Sequence, residues 1–155
     1  MVTCEVGVNF VVDLRSMFSS HGDVFCGLFT DGRPASFLSE KLAVELFDNV
    51  FYRMTNGNKF DLMGGVDGRP CRFEVKALTK NGLKLVQSKS IGVGRGSNRE
   101  ENDRWKDSID YFLIVDCSVS GRLVFSLMPA EWVEARAYTH REAIRRFFTF
   151  RKVEI

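Results

Sequence analysis

Histidine is scarce in this chain, and its cysteines form no metal-binding pattern. With only His21 and His140, neither an HNH nuclease site nor a histidine-rich metal centre is expected. The four cysteines lie at positions 4, 26, 71 and 117. They are too far apart for a CxxC zinc site, and no local signature of Cys/His nucleophilic catalysis surrounds them. We therefore interpret the cysteines as buried free thiols.

Long apolar runs are also missing. No run approaches the ~20 residues of a membrane-spanning helix, and the N-terminus lacks a basic segment followed by an apolar one. Hydrophobic residues at 45% and charged residues at 27% are typical of a globular protein. We therefore expect one domain spanning residues 1–155, cytoplasmic and without a membrane partner.

Charge is unevenly distributed, although the formal net charge is only +2. Residues 69–106 carry 10 basic and 4 acidic side chains, and residues 136–152 carry 6 basic and 1 acidic. The segments before and between them are acidic. Two concentrated basic segments indicate a surface that binds a polyanion such as DNA. The alternative is a chance excess of solvated basic side chains.

Apolar periodicity predicts one long helix in the first half of the chain. From Ser36 onward apolar residues recur every four positions, with Phe47 and Phe51 beside them. A helix of about 18 residues would bury this stripe and end at the TNGN sequence of residues 55–58. The stripe comprises Leu38, Leu42, Leu46, Val50 and Met54. For the first apolar run, residues 6–12, helix and strand both remain open.

The second half of the chain predicts strands followed by a helix. A central strand covered on both faces is predicted for residues 111–118, and Ser120-Gly121 turns it into a partner strand, LVFSLM. A short helical segment, AEWVEA, follows. Thr139 and Glu142 form a capping box for a final helix. Together these elements predict an α/β fold with a mixed sheet of four to five strands flanked by helices.

A β-hairpin is predicted for residues 60–78, which read FDLMGGVDGRPCRFEVKAL. Asp67-Gly68 is a strong type I′ turn signal, because both turn positions need positive φ. This turn fixes a register in which Leu62 faces Phe73. Both are core residues by type, so one face of the hairpin is expected to be apolar.

Three charged residues share the other face of the predicted hairpin. In this register Asp61 faces Glu74, and Lys76 projects from the same face. Two facing carboxylates repel, and a divalent cation offsets that repulsion better than Lys76 alone. Such a site would favour phosphate hydrolysis, with Lys76 stabilising the developing charge. The alternatives are an ordinary surface ion cluster and a bulge at Pro70 that shifts the register.

These residues resemble the active-site motif of the PD-(D/E)xK nuclease superfamily, which has the restriction-endonuclease-like fold. Asp61 is followed after twelve residues by Glu74-Val75-Lys76. The likeness covers about residues 36–128 by layout. It implies an Mg²⁺-dependent endonuclease, with Mn²⁺ as a substitute, that hydrolyses DNA to 5′-phosphate and 3′-hydroxyl ends. Asp61, Glu74 and Val75 would hold the metal, and Lys76 would be the catalytic lysine.

The resemblance also implies an acidic residue from the first helix. Glu40 lies in line with Val44 and Phe47, at the edge of the buried stripe, and is the candidate for this catalytic carboxylate. A snorkelling surface glutamate is the alternative. Phe60 stands where the motif often has proline, a departure that removes no ligand.

The basic segments supply candidate DNA contacts. Gln87, Ser88 and Lys89 follow the predicted catalytic strand and are candidates to contact phosphate or nucleophile. Residues 92–96 read GxGxG, without the βαβ unit or GK[ST] of a nucleotide-binding loop, so we interpret the surrounding segment as a flexible basic loop on DNA. The predicted DNA-binding residues are Gln87, Lys89, Arg95, Arg99, Arg104, Lys106, Arg141, Arg145 and Arg146.

Three functions remain open from the sequence. The first is a restriction-type endonuclease, expected to be a homodimer because cutting both strands of a symmetric site requires two related active sites. The second is a structure-directed nuclease of the same fold, such as a Holliday-junction resolvase or repair nuclease. The third is a non-catalytic DNA-binding module in which the acidic pair is incidental.

Overall fold

A seven-stranded mixed β-sheet forms the centre of the computed structural model, which describes residues 2–17, 26, 29, 32–52, 62–87 and 98–155. The described strands are β1 (Val8–Asp13), β2 (Val50–Tyr52), β3 (Leu62–Val66), β4 (Arg69–Leu78), β5 (Leu83–Lys84), β6 (Tyr111–Asp116), β7 (Arg122–Pro129), β8 (Ala137–Tyr138) and β9 (Arg151–Glu154). The described helices are α1 (Leu14–Met17), α2 (Gly32–Leu46), α3 (Arg99–Asp107) and α4 (His140–Phe147), with a 3₁₀ turn at Ala130–Trp132.

The strand order in the large sheet is β2-β3-β4-β6-β7-β1-β9. The pairs β4–β6 and β1–β9 are parallel, and the other neighbours are antiparallel. Strands β5 and β8 pair with each other in a separate two-stranded sheet. The predicted mixed α/β fold is confirmed, but the predicted number of strands is wrong, because the sheet has seven strands rather than four to five. The first apolar run, for which the sequence allowed helix or strand, supplies β1.

The predicted first helix is wrong at its C-terminal end. Helix α2 ends at Leu46, and the residues from Val50 form the edge strand β2. The amide of Asp48 donates to the carbonyl of Val2, and the Asn49 side chain donates to the Cys4 and Gly65 carbonyls. These long-range hydrogen bonds hold residues 48 and 49 in a non-helical turn. The apolar spacing therefore continues past Leu46 although the helix does not. Residues 55–58 lie outside the described part of the chain.

The predicted hairpin register is confirmed. The antiparallel β3–β4 ladder pairs Leu62 with Phe73 and Val66 with Arg69, and it runs through Pro70 without a bulge. Asp67 and Gly68 have φ values of 52° and 75°, as a type I′ turn requires. Leu62 and Phe73 are fully buried. The turn chemistry therefore set the register, although Pro70 cannot donate a hydrogen bond to the ladder.

The sheet is covered by an apolar cluster on each face. On one face, α2 packs through Ala35 and Ala43 against a cluster that includes Phe73 and Val75 of β4. On the other face, Trp105 of α3 belongs to a cluster with further residues of β4, β6 and α4. The strand β6 lies between these layers, and its buried residues confirm the predicted central strand. Alternation along β4 therefore places Glu74 and Lys76 on the α3 face.

Residues 98–107 were predicted as part of a flexible basic loop, and this prediction is wrong. Asn98 accepts a hydrogen bond from the amide of Glu101 and caps α3, whose Asn102 and Trp105 are buried. The predicted capping box of the last helix is confirmed, because Thr139 accepts from the amide of Glu142. Within the described ranges, none of the helices has the length and apolar character needed to cross a membrane.

Candidate active site

Glu74 and Lys76 form a buried ion pair in the middle of β4. Lys76 Nζ lies 3.7 Å from Glu74 Oε1, and the two side chains are only 10% and 9% exposed. A distance of 3.7 Å exceeds hydrogen-bond length, so the attraction is electrostatic. Removing two charged groups from water costs on the order of several kcal/mol per ion, and their mutual attraction only partly offsets this cost. The pair is therefore not the exposed surface cluster that the sequence left open.

Lys76 is held from two further directions. Its ammonium donates a hydrogen bond of 2.9 Å to the carbonyl of Val86. It also lies 5.2 Å from the centroid of the Trp105 ring, within the range of a cation–π contact. A lysine ammonium has three donors and a flexible stem, so these contacts restrict its position.

Sequence reasoning missed the residues of α3 that complete this site. Asn102 and Trp105 lie three residues apart and therefore share one helix face. Asn102 Oδ1 accepts a hydrogen bond of 3.0 Å from the amide of Gln87. The signal that could have found them is the sequence N-x-x-E at residues 98–101, which is a capping pattern.

Gln87 lies next to the Val86 carbonyl that binds Lys76. Its side-chain oxygen is buried and has no hydrogen-bond partner among the described residues. Buried acceptors usually receive a hydrogen bond. We therefore expect this oxygen to accept one from a donor outside the described chain, such as a bound water or a ligand hydroxyl. The predicted contact of Gln87 with phosphate or nucleophile stays a prediction.

The predicted metal ligands are only partly within the described chain. Asp61 lies outside it, next to the last described ladder pair, Leu62–Phe73. In the described ranges, no group of three or more His, Cys, Asp and Glu residues is arranged to hold a metal ion. The donors in place are the Glu74 carboxylate and, for Val75, a backbone carbonyl. These are hard oxygen donors of the type that Mg²⁺ binds, and Mg²⁺ needs few protein ligands because it keeps several waters.

Glu40 is not brought to the Glu74 face by its helix. It is half-buried on α2. This helix packs on the sheet face that carries Phe73 and Val75, opposite the face of Glu74 and Lys76. The placement gives no support to a catalytic Glu40, which stays a prediction of the resemblance.

The predicted DNA contacts of the first basic segment differ in their surroundings. Arg99 and Arg104 are exposed on α3, with Arg99 3.9 Å from Asp103. Lys106 instead donates to the carbonyls of Ala130 and Val133, both at 3.1 Å. Two of its three N–H donors thus tie α3 to the 3₁₀ turn. This structural role leaves one N–H donor for a DNA phosphate. Three other predicted contacts, Ser88, Lys89 and Arg95, lie outside the described residues.

The second basic segment approaches the first in space. Arg141, Arg145 and Arg146 are exposed on α4, as predicted for DNA contacts. The pKa of Glu134 is lowered mainly by its hydrogen bond from Arg136, and to a smaller extent by the charges of Arg146 and Arg99. Arg99 of α3 and Arg146 of α4 therefore lie within electrostatic reach of one carboxylate, although they are far apart in sequence.

A second polar cluster lies at the end of β6. Ser118 Oγ donates to Asp116 Oδ1 at 2.5 Å, and His140 Nε2 lies 2.9 Å from the same hydroxyl. Through Ser118 the cluster anchors His140, the first residue of α4, to the end of the central strand.

Three of the four cysteine thiols are buried. Cys4, Cys26 and Cys117 are buried and Cys71 is half-buried, and all four are free. Desolvation raises the pKa of the Cys117 thiol to about 12 and also raises that of Cys4. These two thiols therefore stay protonated near neutral pH. The prediction of buried free thiols is confirmed for three of the four cysteines.

Comparison with known proteins adds no relative to this description. No protein-family model matches the chain, and no curated protein or solved structure matches it.

Proposed function

We propose that this protein is an Mg²⁺-dependent DNA endonuclease of restriction type with a PD-(D/E)xK active site on a restriction-endonuclease-like core. The observation that carries the proposal is the buried pair of Glu74 and Lys76 on one face of β4. A buried ion pair adds little to stability by itself. Chemistry at this position gives a reason for retaining both charges.

The arrangement of elements supports the same proposal. Helix α2 precedes the hairpin β3–β4, and β6, a buried strand, lies parallel to β4. This is the layout on which the resemblance rests. The register of the hairpin is the one from which the sequence predicts Asp61 opposite Glu74.

Each residue of the site has a distinct task in the proposed reaction. Asp61 and Glu74, with the Val75 carbonyl, hold the divalent cation, which when bound supplies a Lewis acid for the phosphate and an acidified water. Lys76 stabilises the negative charge that develops on the phosphate oxygens. Attack of water on phosphorus breaks the bond to the 3′ oxygen, which leaves as a 3′-hydroxyl and leaves the phosphate on the 5′ end. Gln87 offers a buried acceptor to the attacking water.

The exposed arginines supply the DNA-binding surface in this proposal. Arg99 and Arg104 project from α3, which covers the β4 face that carries Lys76, and the three arginines of α4 lie on the same side of the sheet. Contacts to phosphate position the duplex without reading its sequence. A restriction-type enzyme of this kind is expected to act as a homodimer.

The experiment that tests the function incubates the purified protein with plasmid DNA and with a four-way junction, each with Mg²⁺ or with EDTA. Discrete plasmid fragments that appear only with Mg²⁺ support the restriction-type endonuclease. Cleavage confined to the junction replaces it with the structure-directed alternative. A mobility shift without cleavage in either substrate contradicts the nuclease and leaves a DNA-binding module.

A further inference from the structure

We propose that Trp105 is a positioning residue for the catalytic lysine, so that α3 acts as a template that places the Lys76 ammonium. This inference rests on the proposed nuclease function. It extends that function to a residue outside the motif, since Trp105 lies 29 positions beyond Lys76 and on another element.

The first step is the geometry around the ammonium. Lys76 Nζ has three close partners among the described residues: Glu74 Oε1 at 3.7 Å, the Val86 carbonyl at 2.9 Å and the Trp105 ring at 5.2 Å. The partners come from β4, from the segment after β5 and from α3. An ammonium surrounded in this way has little rotational freedom left at the end of a stem that is otherwise flexible.

The second step is that α3 controls two of these three partners. Trp105 supplies the ring itself. Asn102, on the same helix face, accepts from the amide of Gln87 and so fixes the segment whose Val86 carbonyl binds Lys76. Displacing this helix face would therefore release the ammonium from two sides at once.

The third step is that α3 is itself rigidly held. Lys106 donates to the carbonyls of Ala130 and Val133, and the ring of Trp105 packs 5.7 Å from that of Phe112 on β6. Trp105 is only 6% exposed. A buried, fixed ring beside a lysine in a low-dielectric site makes a stronger cation–π contact than an exposed pair does.

A cation–π contact depends on the π electrons of the ring. We therefore expect the rate of DNA cleavage to depend on the electron density of the Trp105 ring and not on its volume alone. A misplacement of a catalytic group by about 1 Å can cost ~10²-fold in rate. Trp105→Leu should therefore lower kcat for DNA cleavage by about that factor, with little change in KM, because substrate binding uses other residues. Trp105→Phe keeps a ring and should retain most of the rate.

The test compares these variants with a matched control, Phe147→Leu. Phe147 is a buried aromatic residue of the same apolar cluster, but it contacts Tyr138 rather than Lys76. Both leucine variants should lose stability, and only Trp105→Leu should lose kcat per folded molecule. In the Lys76→Ala background, Trp105→Leu should have no further effect on kcat, because its effect acts through the lysine.

A second measurement changes the ring without changing its packing. The chain has only two tryptophans, and Trp132 is exposed, so a Trp132→Phe protein can carry monofluorinated or difluorinated tryptophan at position 105 alone. Fluorine withdraws electron density from the ring face and weakens a cation–π contact. The rate should fall stepwise with fluorination while the melting temperature stays constant. This series also serves if Trp105→Leu does not fold.

A third measurement needs no activity. The Lys76 side-chain protons next to Nζ should be shifted upfield in the NMR spectrum by the Trp105 ring and return to ordinary positions in Trp105→Leu. If the parent protein cuts no DNA, the nuclease proposal fails, and the NMR signals alone decide whether Trp105 positions Lys76. A parent that cuts DNA at an unchanged rate through the fluorine series, or Lys76 signals unaffected by Trp105→Leu, overturns the inference.

Discussion

Lys76 Nζ lies 3.7 Å from Glu74 Oε1 on the face of β4 that α3 covers, and both side chains are buried. The residues differ in their proposed tasks, since Glu74 holds a cation and Lys76 stabilises developing charge. Substitutions at the two positions should therefore affect cleavage alike and DNA binding differently.

The first prediction separates metal binding from chemistry. Asp61→Asn, Glu74→Gln and Lys76→Ala should each reduce Mg²⁺-dependent cleavage by at least ~10²-fold, the cost of removing one group that stabilises transition-state charge. In EDTA the two carboxylate variants should bind DNA at least as tightly as the parent, because less negative charge faces phosphate. Lys76→Ala should bind slightly less tightly. Cleavage rates and EDTA-phase affinities measure the two effects.

The control for this prediction is Glu45→Gln, which removes an exposed carboxylate from α2. It should leave cleavage unchanged, and a melting curve for every variant shows whether it is folded. Parent-like cleavage by the three folded site variants would contradict the nuclease mechanism and leave Glu74 and Lys76 as a structural ion pair.

The second prediction concerns salt. DNA affinity should fall steeply with salt concentration, because binding to phosphates releases counterions. Neutralising Arg95, Arg99 and Arg104 together should flatten the log–log slope by about 0.9 for each phosphate that the protein no longer neutralises. Fluorescence-anisotropy titrations across a salt series provide the slope. An unchanged slope would indicate that the DNA-binding surface is formed by Arg141, Arg145 and Arg146 instead.

The third prediction concerns the packing of the hairpin. A Cβ added at Gly64 would clash with the ring of Phe73, which is fully buried, whereas a Cβ at Gly65 meets nothing within 4 Å. Gly64→Ala should therefore lower the free energy of unfolding by about 1–3 kcal/mol, the usual cost of overpacking. Gly65→Ala is the matched control and should fold at least as stably as the parent. Urea unfolding at neutral pH compares the two, and equal midpoints would refute the close Gly64–Phe73 packing.

The fourth prediction concerns acid stability. Asp110 Oδ2 accepts from the amide and Nε of Arg72, and Oδ1 accepts from Nη2, which ties the start of β6 to β4. The Arg72 side-chain hydrogen bond lowers the pKa of Asp110 below its ordinary value. The contribution of this carboxylate to stability is therefore present at neutral pH and is lost as the pH falls through its lowered pKa.

Asp110→Asn should accordingly lower the urea midpoint at pH 7 and bring a smaller further loss on acidification than the parent shows. Asp107→Asn, a change of the same chemistry at an exposed residue, provides the comparison. If the parent and Asp110→Asn lose stability in parallel as the pH falls from neutral into the acid range, the Arg72–Asp110 pair does not contribute in the way described.

Much of the scaffold around the site could be predicted from local sequence. Asp67-Gly68 determines a two-residue turn with positive φ at both positions, and this turn sets the register of the described β3–β4 pairs, from Val66–Arg69 to Leu62–Phe73. The capping box at Thr139 and the apolar strand β6 are also local signals. Each depends on residues within a few positions of one another, so the sequence alone suffices.

Other features were decided by contacts between distant residues. The apolar spacing of α2 continues through Val50, yet hydrogen bonds from Asp48 and Asn49 to the N-terminal segment end the helix and release Val50 to the sheet edge. Periodicity cannot register such contacts. Nor does periodicity show on which face of the sheet α2 packs, which is the face of Phe73 and Val75. The catalytic role of Glu40 stays a prediction of the resemblance.

The environment of the charged pair is likewise a tertiary property. Alternation along a strand is a local property, and it is enough to place Glu74 and Lys76 on one face of β4. Only the packing of α3 over that face buries the two side chains and places Trp105 against the Lys76 ammonium. The same packing brings Arg99 within electrostatic reach of Glu134, the carboxylate that Arg146 of α4 also approaches. Burial and proximity between separate elements depend on how those elements pack around the core. No pattern of neighbouring residues specifies that packing.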